Sequence, residues 1–550
     1  MEHIDLSSLT LRSQEQHLVK DLFLVYMAYQ GNSIRFVKEG DTVTWTVNPS
    51  SDTCLRSALY ADACLPLAAT LIQLRHNIKN ICCELSRGRV ALAVGSAAEE
   101  FFNLEIMPLL VKLELENRND QKSLTLAEVA TYMRPYMQIT KQLNEVLSSI
   151  IKDDLVGGEV LSLLSEQIRK CVSPTTRDML QKFEIAGLEQ YFELLFWWIR
   201  YGKIQDCCHD FMIWDLKSSK MFSKSDIVPE DDDIFGDGSN NFNDRFCVVK
   251  ALCPSQLQSA FEDIVKCGTY LNIAEMIKGE TTTYDDERIG EEEELEEWKR
   301  KNVDDVVREV KKARLKASKD LVQILRKQFC LDEYFEPILE KYDVFTSLHL
   351  ISGKVEQKKK LWIDFETTES KNGQDALSIH INVDSPLSLV FPPRILLYYN
   401  LLFRIFFYLF SATNQIFNKQ MRSDVVTTLN DRRLLEEMLH FLNAYNLHCS
   451  IYVVPRLWSI FIDKLSKSAS LEEILSFQNS FFADTMAQCF LPDPKFMDLL
   501  SNLVAVIRGF TTDEIKYDQS AQKWNEYLGK MFSLLSKPNN NNAYAQLHSR

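Results

Sequence analysis

Hydrophobic residues recur every three or four positions along most of this 550-residue chain, the spacing of one face of an α-helix. The pattern predicts helical segments over 62–85, 96–115, 124–151, 254–268, 429–447, 471–490, 494–510 and 515–535. Two short stretches, DTVTWTVNPS and LSIHINV, alternate instead with a period of two, which predicts small strands. The chain is therefore predicted to be all-α, with elongated consecutive helical bundles, minor short β hairpins and no repeat of fixed period.

Glycines mark the expected ends of two of these helices. The aromatic segment YFELLFWWIRY should end its helix at Gly202, because glycine is favoured just past the last helical turn and Arg200 suits that turn. A second helix is expected to stop at Gly268, with Tyr270 and Leu271 folding back.

The stretch SPLSLVFPPRILLYYNLLFRIFFYLFSA poses a choice between a membrane span, a core helix and a partner surface. As a helix, its apolar run over 395–410 would be about 24 Å long, shorter than the ~30 Å hydrocarbon core of a bilayer. Arg404 near its middle would cost roughly 2.5 kcal/mol or more in lipid. Asn400, Arg404, Tyr408 and Ser411 form a narrow polar edge. The pattern predicts a helix in the middle of a bundle, with that edge reaching a surface or cleft, and not a membrane span.

Composition and charge indicate which folds and which kinds of partner suit this chain. Glycine is scarce, 17 of 550 residues, which favours long helices over glycine-rich loops. The net charge of −15 argues against nucleic acid as a main partner. Residues 385–470 carry a local net charge of +4, which favours an acidic partner, while an ordinary solvated distribution is the alternative. The segment beginning GEEEELEEW is predicted to be a long surface helix or, before about Trp298, a disordered acidic linker.

The cysteines indicate a reducing compartment. Thirteen are dispersed along the chain, with two adjacent pairs, Cys82–Cys83 and Cys207–Cys208, and no C-x-x-C spacing. The first 20 residues are charged and polar, unlike a signal peptide. These features predict reduced thiols in a cytosolic or nuclear protein.

No local motif for catalysis or cofactor binding is found. The Gly-Lys pairs lack the Ser or Thr of a phosphate-binding loop, and G-x-G-x-x-G, H-E-x-x-H and G-x-S-x-G do not occur. The acidic stretch PEDDDIFGDGSNNFND lacks the residue order of a calcium loop. Cys207, Cys208 and His209 form the most suggestive cluster, but adjacent residues on a helix cannot both point at one metal, so a structural role is favoured. We assign no catalytic, cofactor or metal residue and do not expect an enzyme.

Several blocks of the sequence occur in the order found in one family. YFELLFWWIRYGKIQDCCHDFMI resembles its aromatic helix followed by an R-G-x-I-x-D turn, and CPSQLQSAFEDIVKCGTYLNIAEMI resembles its I-L-x-T-G-K-Y-L-N-V block. SPLSLVFPPRILLYYNLLFRIFFYLF resembles W-P-L-S-L-I…Y-x-x-L-F-R-x-x-F. Over nearly the whole chain the sequence is similar to the gamma-tubulin complex protein family. Within it, VKDLFLVYMAYQG and GGEVLSLLSEQI are most similar to the component 2 group. One departure from the family is Gln478, which stands where the family's D-x-V-x-x-H block has its histidine.

The resemblance implies a helical rod with two domains. Residues 1–340 would be an N-terminal helical-bundle domain for lateral subunit contacts, and residues 341–550 a C-terminal helical domain that binds gamma-tubulin. The partners would be gamma-tubulin and a paralogous, component 3-like subunit, with no nucleic acid and no membrane insertion. Such a subunit would template microtubule nucleation at a centrosome or equivalent microtubule-organising centre in the cytoplasm. The GTP belongs to tubulin, so neither catalysis nor a cofactor is implied.

The candidate contact residues are basic or aromatic. For gamma-tubulin they are Arg394, Arg404, Arg432 and Arg433 as polar contacts, with Tyr398 and Trp458 as anchors. For the lateral subunit contact they are Trp197, Trp198, Tyr201 and Tyr270. Core burial is the alternative for every aromatic residue among them, because aromatic side chains at helical spacing usually pack in the interior.

Two other function classes stay open at this point. One is a helical tethering or adaptor scaffold unrelated to tubulin, and the other is an enzyme with an unrecognised site. Co-purification of gamma-tubulin distinguishes the first from the family function. Turnover or a bound cofactor in the purified protein would indicate the second.

Overall fold

The computed structural model describes the chain in two compact units. The residues it describes are 6–39, 42–60, 64–118, 124–215, 246–278, 291–329, 331, 335, 361–365, 377–381, 386–421 and 428–535. The first unit is drawn from 1–230, 244–272 and 280–314, and the second from 231–243, 273–279 and 315–550. The predicted domain division between residues 340 and 341 lies outside the described residues and stays a prediction.

Helices dominate the described residues of both units, so the predicted all-α class is confirmed, and the counts that follow are of those residues. The first eleven are α1 Leu11–Tyr26, α2 Thr53–Leu59, α3 Leu65–Cys83, α4 Arg89–Phe101, α5 Met107–Arg118, α6 Leu126–Lys152, α7 Gly157–Lys170, α8 Pro174–Tyr201, α9 Phe261–Lys278, α10 Glu291–Lys299 and α11 Val303–Phe329. The later six are α12 Pro393–Met421, α13 Leu429–Leu447, α14 Val454–Lys467, α15 Leu471–Gln488, α16 Pro494–Thr511 and α17 Tyr517–Leu535.

Three short antiparallel hairpins accompany the helices in the described part of the chain. They pair β1 Ile34–Glu39 with β2 Thr42–Val47, β3 Ile213–Asp215 with β4 Phe246–Val248, and β5 Leu361–Phe365 with β6 Leu377–Ile381. The strands predicted from DTVTWTVNPS and LSIHINV are β2 and β6. The partner strand β5 lies within residues 354–374, whose polar composition predicts a loop or break; the structure instead pairs 361–365 with β6.

Helix α8 is central to the first unit and ends where the sequence predicts. Gly202 adopts the left-handed conformation, with φ of 65°, and its N–H donates to the Trp198 carbonyl at 2.9 Å. Glycine takes this conformation without the steric cost that a side chain imposes. Asn272 then fixes the turn, because its Nδ2 donates to the Gly202 carbonyl at 2.6 Å.

The expected helix end at Gly268 is wrong. Helix α9 runs through Gly268 to Lys278, so Tyr270 and Leu271 are helical. The glycine makes room for a ring: a Cβ placed on it would lie 2.1 Å from Cε2 of Trp198. Trp198 is fully buried and its indole N–H donates to the Ile264 carbonyl at 2.8 Å. A close helix–ring contact, and not a chain turn, therefore explains this glycine.

Asp210, in the loop that follows α8, caps two helices at once. Neither α4 nor α7 has a capping side chain of its own, since Gly88 and Val156 precede them. The fully buried Asp210 carboxylate accepts the N–H of Arg89 and, at 2.9 Å, that of Gly157. Burial raises the pKa of Asp210 to about 6, against the opposing effect of these N–H donors. One side chain thereby ties the loop to two helix starts.

The charged segment after residue 290 forms two helices, α10 and α11, instead of one. Trp298 at the end of α10 is buried, and its indole N–H donates to the Phe192 carbonyl at 3.0 Å. This contact anchors α10 to α8, so the described part of the segment is ordered helix and not a linker. Residues 279–290, directly before α10, lie outside the described ranges.

In the second unit α12 packs against α13, α15, α16 and β6. An aromatic cluster fills the space near α14, where the Phe335 ring centre lies 5.4 Å from that of Phe461 and 5.0 Å from that of Phe391. Helix α15 begins with a capping box. The Ser470 hydroxyl oxygen accepts the N–H of Glu473, and the Glu473 carboxylate accepts the N–H of Ser470. This S-x-x-E pattern starts a helix locally, whereas the aromatic contacts decide where it packs.

Candidate functional site

Helix α12 lies in the core of the second unit with one edge uncovered. It begins at Pro393, whose fixed φ and missing N–H suit a first turn. Its interior side is buried, including Tyr399 and Leu402. On the opposite edge Leu397 is 56% exposed and Leu401 is 40% exposed. The solvent-exposed edge of this apolar helix, with its two leucines, is a surface suited to binding a partner.

By length and composition, α12 is also the one helix in the described ranges that could cross a membrane. Its most apolar 18-residue window is 44% buried, and the core helix of a soluble protein meets the same criterion. Packing against three other helices favours the core interpretation, which the position of Arg404 also supports.

A groove of about 370 Å³ opens between α12 and α16. Its lining residues are Leu401, Arg404, Ile405, Phe407, Tyr408, Met497, Leu500 and Ser501. We call this the α12–α16 groove. The predicted polar edge reaches it through Arg404 and Tyr408, whereas Ser411 is buried. The prediction that one edge of this helix meets a cleft is confirmed for those two side chains.

The groove is cationic as well as apolar. Helix α12 contains no acidic residue. Arg508 is not itself a lining residue, but its guanidinium lies 4.4 Å from the ring centre of Tyr408, which is one, in cation–π contact. Arg404 and Arg508 therefore place two positive charges beside apolar side chains. An acidic partner surface with apolar side chains is the complement of this arrangement.

Lys419 locks the two walls together. It is buried, its ammonium donates to Asp513 Oδ1 at 2.8 Å and to the Phe510 carbonyl, and it lies 4.1 Å from the Phe510 ring centre. A cation at the end of α16 also suits the helix dipole. This charge is used internally and is not part of the groove lining, which contains Arg404.

Other predicted contact residues lie outside the groove lining. Arg394 is exposed, and its Nε donates to the Tyr398 hydroxyl at 3.3 Å. Tyr398 is half-buried, with its ring centre 5.3 Å from that of Phe482. Arg432 and Arg433 are exposed on the first turns of α13, where Arg433 pairs with Glu437 at 3.4 Å.

Two family models match the chain over nearly its whole length. A family model described as gamma tubulin complex component N-terminal matches residues 19–328, and one described as gamma tubulin complex component C-terminal matches residues 295–548. The chain belongs to the gamma-tubulin complex component family. The groove lies within the C-terminal match, and α8 within the N-terminal match.

Similar curated proteins carry component 2 names. Gamma-tubulin complex component 2 of Mus musculus is 24% identical over 599 residues, covering 96% of this chain and 64% of that protein. Component 2 of Arabidopsis thaliana is 21% identical, covering 90% of this chain and 79% of that protein. The component 2 homolog of Drosophila melanogaster is 24% identical over 38% of this chain. The chain thus spans somewhat less than two thirds of the mouse relative.

In this family member, Trp458 is not a surface anchor. It is 3% exposed, and its ring centre lies 5.2 Å from that of Phe481 and 5.3 Å from that of Phe461. An indole enclosed by other rings cannot reach a partner without unfolding this part of the core. We therefore remove Trp458 from the candidate contacts and assign it to packing.

Two of the four lateral candidates are also core residues. Trp198 is fully buried and Tyr270 is 4% exposed, so neither can be a contact in this structure. Trp197 and Tyr201 are half-buried, and their rings lie 5.4 Å apart on one side of α8. Adjacent residues on a helix point about 100° apart, which is why Trp197 reaches the surface side and Trp198 does not.

Sequence reasoning missed the apolar part of the site and one of its charges. Leu397, Leu401 and Arg404 recur at helical spacing, but an apolar helix gives no local signal for which edge stays uncovered. Arg508 comes from α16 and joins Tyr408 only through the fold. Among the described residues, no group of three or more His, Cys, Asp or Glu side chains is placed to hold a metal ion.

Proposed function

We propose that this chain is a structural subunit of a gamma-tubulin complex and that the α12–α16 groove binds gamma-tubulin. The first unit packs against a paralogous, component 3-like subunit, with Trp197 and Tyr201 as contacts. The complex templates microtubule nucleation at a centrosome or equivalent cytoplasmic organising centre. The role is structural, and the nucleotide chemistry belongs to the tubulin.

The observation that carries this proposal is the chemistry of the groove. An uncovered apolar edge with Leu397 and Leu401 lies beside Arg404 and Arg508, inside the segment that matches the family's C-terminal model. Interfaces commonly combine a desolvated apolar centre with arginine, and arginine binds carboxylates in a bidentate way. Arg394 extends the positive surface beyond the groove towards the start of the helix.

The proposed role also fits the physics of nucleation. Association of free tubulin subunits costs several kcal/mol of translational and rotational freedom before any lateral contact forms. A scaffold that holds gamma-tubulins side by side removes much of that cost, because each later contact becomes effectively intramolecular. A rigid helical core such as the one around α12 keeps the bound subunits in fixed orientation.

The groove is tested with the double variant Leu401→Asp/Arg404→Glu in the full chain. Leu401 is partly exposed, so the aspartate should not disturb the core, yet both changes place negative charge against an acidic partner. We expect gamma-tubulin binding to weaken at least about tenfold, or roughly 1.4 kcal/mol. Binding is measured by co-purification and by titration with purified gamma-tubulin.

A matched control is Ile460→Asp on α14, which adds a charge at a side chain that is 47% exposed and outside the groove lining. It should bind gamma-tubulin as the wild type does. If the wild type captures gamma-tubulin and the groove variant still binds normally, the contact lies elsewhere. If the wild type does not capture it at all, the family role proposed for this chain is wrong.

Charge reversal of Arg432 and Arg433 should have a smaller effect. Both are exposed on α13, and Arg433 already pairs with Glu437, so they resemble rim charges. Rim charges mainly change the association rate and its salt dependence. We expect a few-fold slower association at low salt that disappears at high salt, measured by surface-based kinetics. Unchanged rates at low salt would remove both arginines from the contact.

A further inference from the structure

The adjacent cysteines Cys207 and Cys208 are in sulfur–sulfur contact on a loop. Their Sγ atoms are 3.6 Å apart, Cys207 is exposed and Cys208 is half-buried. On a helix two adjacent cysteines could not share a ligand, because neighbouring side chains diverge. Helix α8 ends at Tyr201, so Cys207 and Cys208 lie on a loop where that restriction does not apply.

Backbone geometry explains why the two sulfurs converge. The Asp206 carboxylate accepts the N–H of Cys208 at 3.0 Å and that of Phe211 at 2.8 Å, which closes a compact turn around both cysteines. His209 takes a left-handed conformation, with φ of 60°. The buried Asp210 then anchors the end of the turn. The thiols are therefore held by a fixed loop and not by a flexible tail.

The separation of the sulfurs matches a chelate. Consider one central atom bonded to both sulfurs, each bond being ~2.3 Å long, the length of a zinc–thiolate bond. If the angle between the two bonds is about 90° to about 109°, the sulfurs lie ~3.3–3.8 Å apart. The observed 3.6 Å lies inside that interval. We propose that Cys207 and Cys208 form a vicinal dithiol site that binds one thiophilic centre, specifically a mono-organo trivalent arsenical.

The chemistry balances without an oxidant. An arsenoxide R–As=O condenses with both thiols: two As–S bonds form, the arsenic–oxygen bond breaks, and the oxygen leaves as water with the two thiol protons. Arsenic stays trivalent and no electrons are exchanged. Its third position is its own carbon substituent, so two sulfurs complete the site. This fits a pair of cysteines that belongs to no larger ligand group in the described structure.

The second adjacent pair, Cys82–Cys83, provides an internal comparison. It ends helix α3, where neighbouring side chains point about 100° apart around the axis. Helix geometry therefore predicts diverging side chains at this pair, in contrast to the converging sulfurs of Cys207 and Cys208. Selectivity between the pairs in the native protein distinguishes the folded site from a generic affinity of adjacent cysteines.

Phenylarsine oxide is the probe, added to the native full chain and counted by intact mass spectrometry. We expect one adduct per chain that survives a millimolar monothiol and is removed by a dithiol such as ethanedithiol, because the second bond forms intramolecularly. Cys207→Ser and Cys208→Ser should each lose this monothiol-resistant adduct. Cys82→Ser should keep it, and the denatured wild type should bind more than one equivalent.

The opposite results overturn the proposal. Retention of the adduct in Cys208→Ser, or its loss in Cys82→Ser, would place the arsenical elsewhere. An adduct that a monothiol removes would mean that only one sulfur is bound. Thermal unfolding of each serine variant confirms folding, and Trp214 offers a second readout because its ring lies 4.9 Å from that of His209 beside the dithiol.

Discussion

Gly268→Ala is expected to destabilise the first unit by a net of about 2 kcal/mol, although alanine is the better helix former. The new methyl group would lie 2.1 Å from Cε2 and 2.5 Å from Cδ2 of Trp198. That indole is fully buried and held by its hydrogen bond to Ile264, so it cannot move aside cheaply. Overpacking of this kind costs about 1–3 kcal/mol or more, which exceeds the ~1 kcal/mol gained from helix propensity. Urea unfolding followed by tryptophan fluorescence and near-UV circular dichroism measures it.

Gly529→Ala is the matched control. Gly529 is also helical, in α17, but nothing lies within 4 Å of the position of an added Cβ. Helix propensity then acts alone and should stabilise the protein by up to ~1 kcal/mol. The two glycines should therefore give opposite signs. Adding Trp198→Phe to Gly268→Ala should recover part of the loss, since the smaller ring vacates the overlap; strict additivity would contradict the packing argument.

Asp210→Ala should destabilise the first unit by about 4 kcal/mol. Each of α4 and α7 loses a cap worth ~1–2 kcal/mol, and buried N–H groups such as that of Gly157 lose their acceptor at a further cost of roughly 1 kcal/mol or more. Asp178→Ala, at an exposed position of α8, is the control and should change stability by less than ~0.5 kcal/mol. A similar small effect at Asp210 would show that the two helix starts do not need it.

The pH dependence of this carboxyl gives a separate test. Its folded pKa of about 6 lies above the ordinary aspartate value of 3.8, so the folded state binds the proton more tightly. The tighter proton binding adds to the free energy of unfolding. This contribution is fully present below the unfolded pKa and is lost as the pH rises through about 6. Against Asp210→Asn, which does not titrate, the wild type should gain about 1 kcal/mol between pH 7 and pH 5. A gain in the opposite direction would mean that the N–H donors outweigh burial.

Some of the site could be predicted from the sequence and some could not. The α12 helix and its polar edge follow from local spacing and length. The positive character of the region follows from counting charges. Which aromatic residues are exposed did not follow, because Trp197 and Trp198 differ only in the direction they face within the fold. Burial of Trp458 depends on Phe461 from its own helix and on Phe481 from another.

By itself the sequence determined the helical class, the left-handed end of α8 at Gly202, and the capping box at Ser470. All three depend on residues within about one helical turn of each other, whose interactions survive in any fold. Only the tertiary structure decided that Gly268 makes room for a ring, that Asp210 caps a helix 121 residues earlier in the chain, and that Arg508 joins Tyr408 at the groove. Those contacts join segments far apart along the chain, so they exist only once packing has brought the segments together.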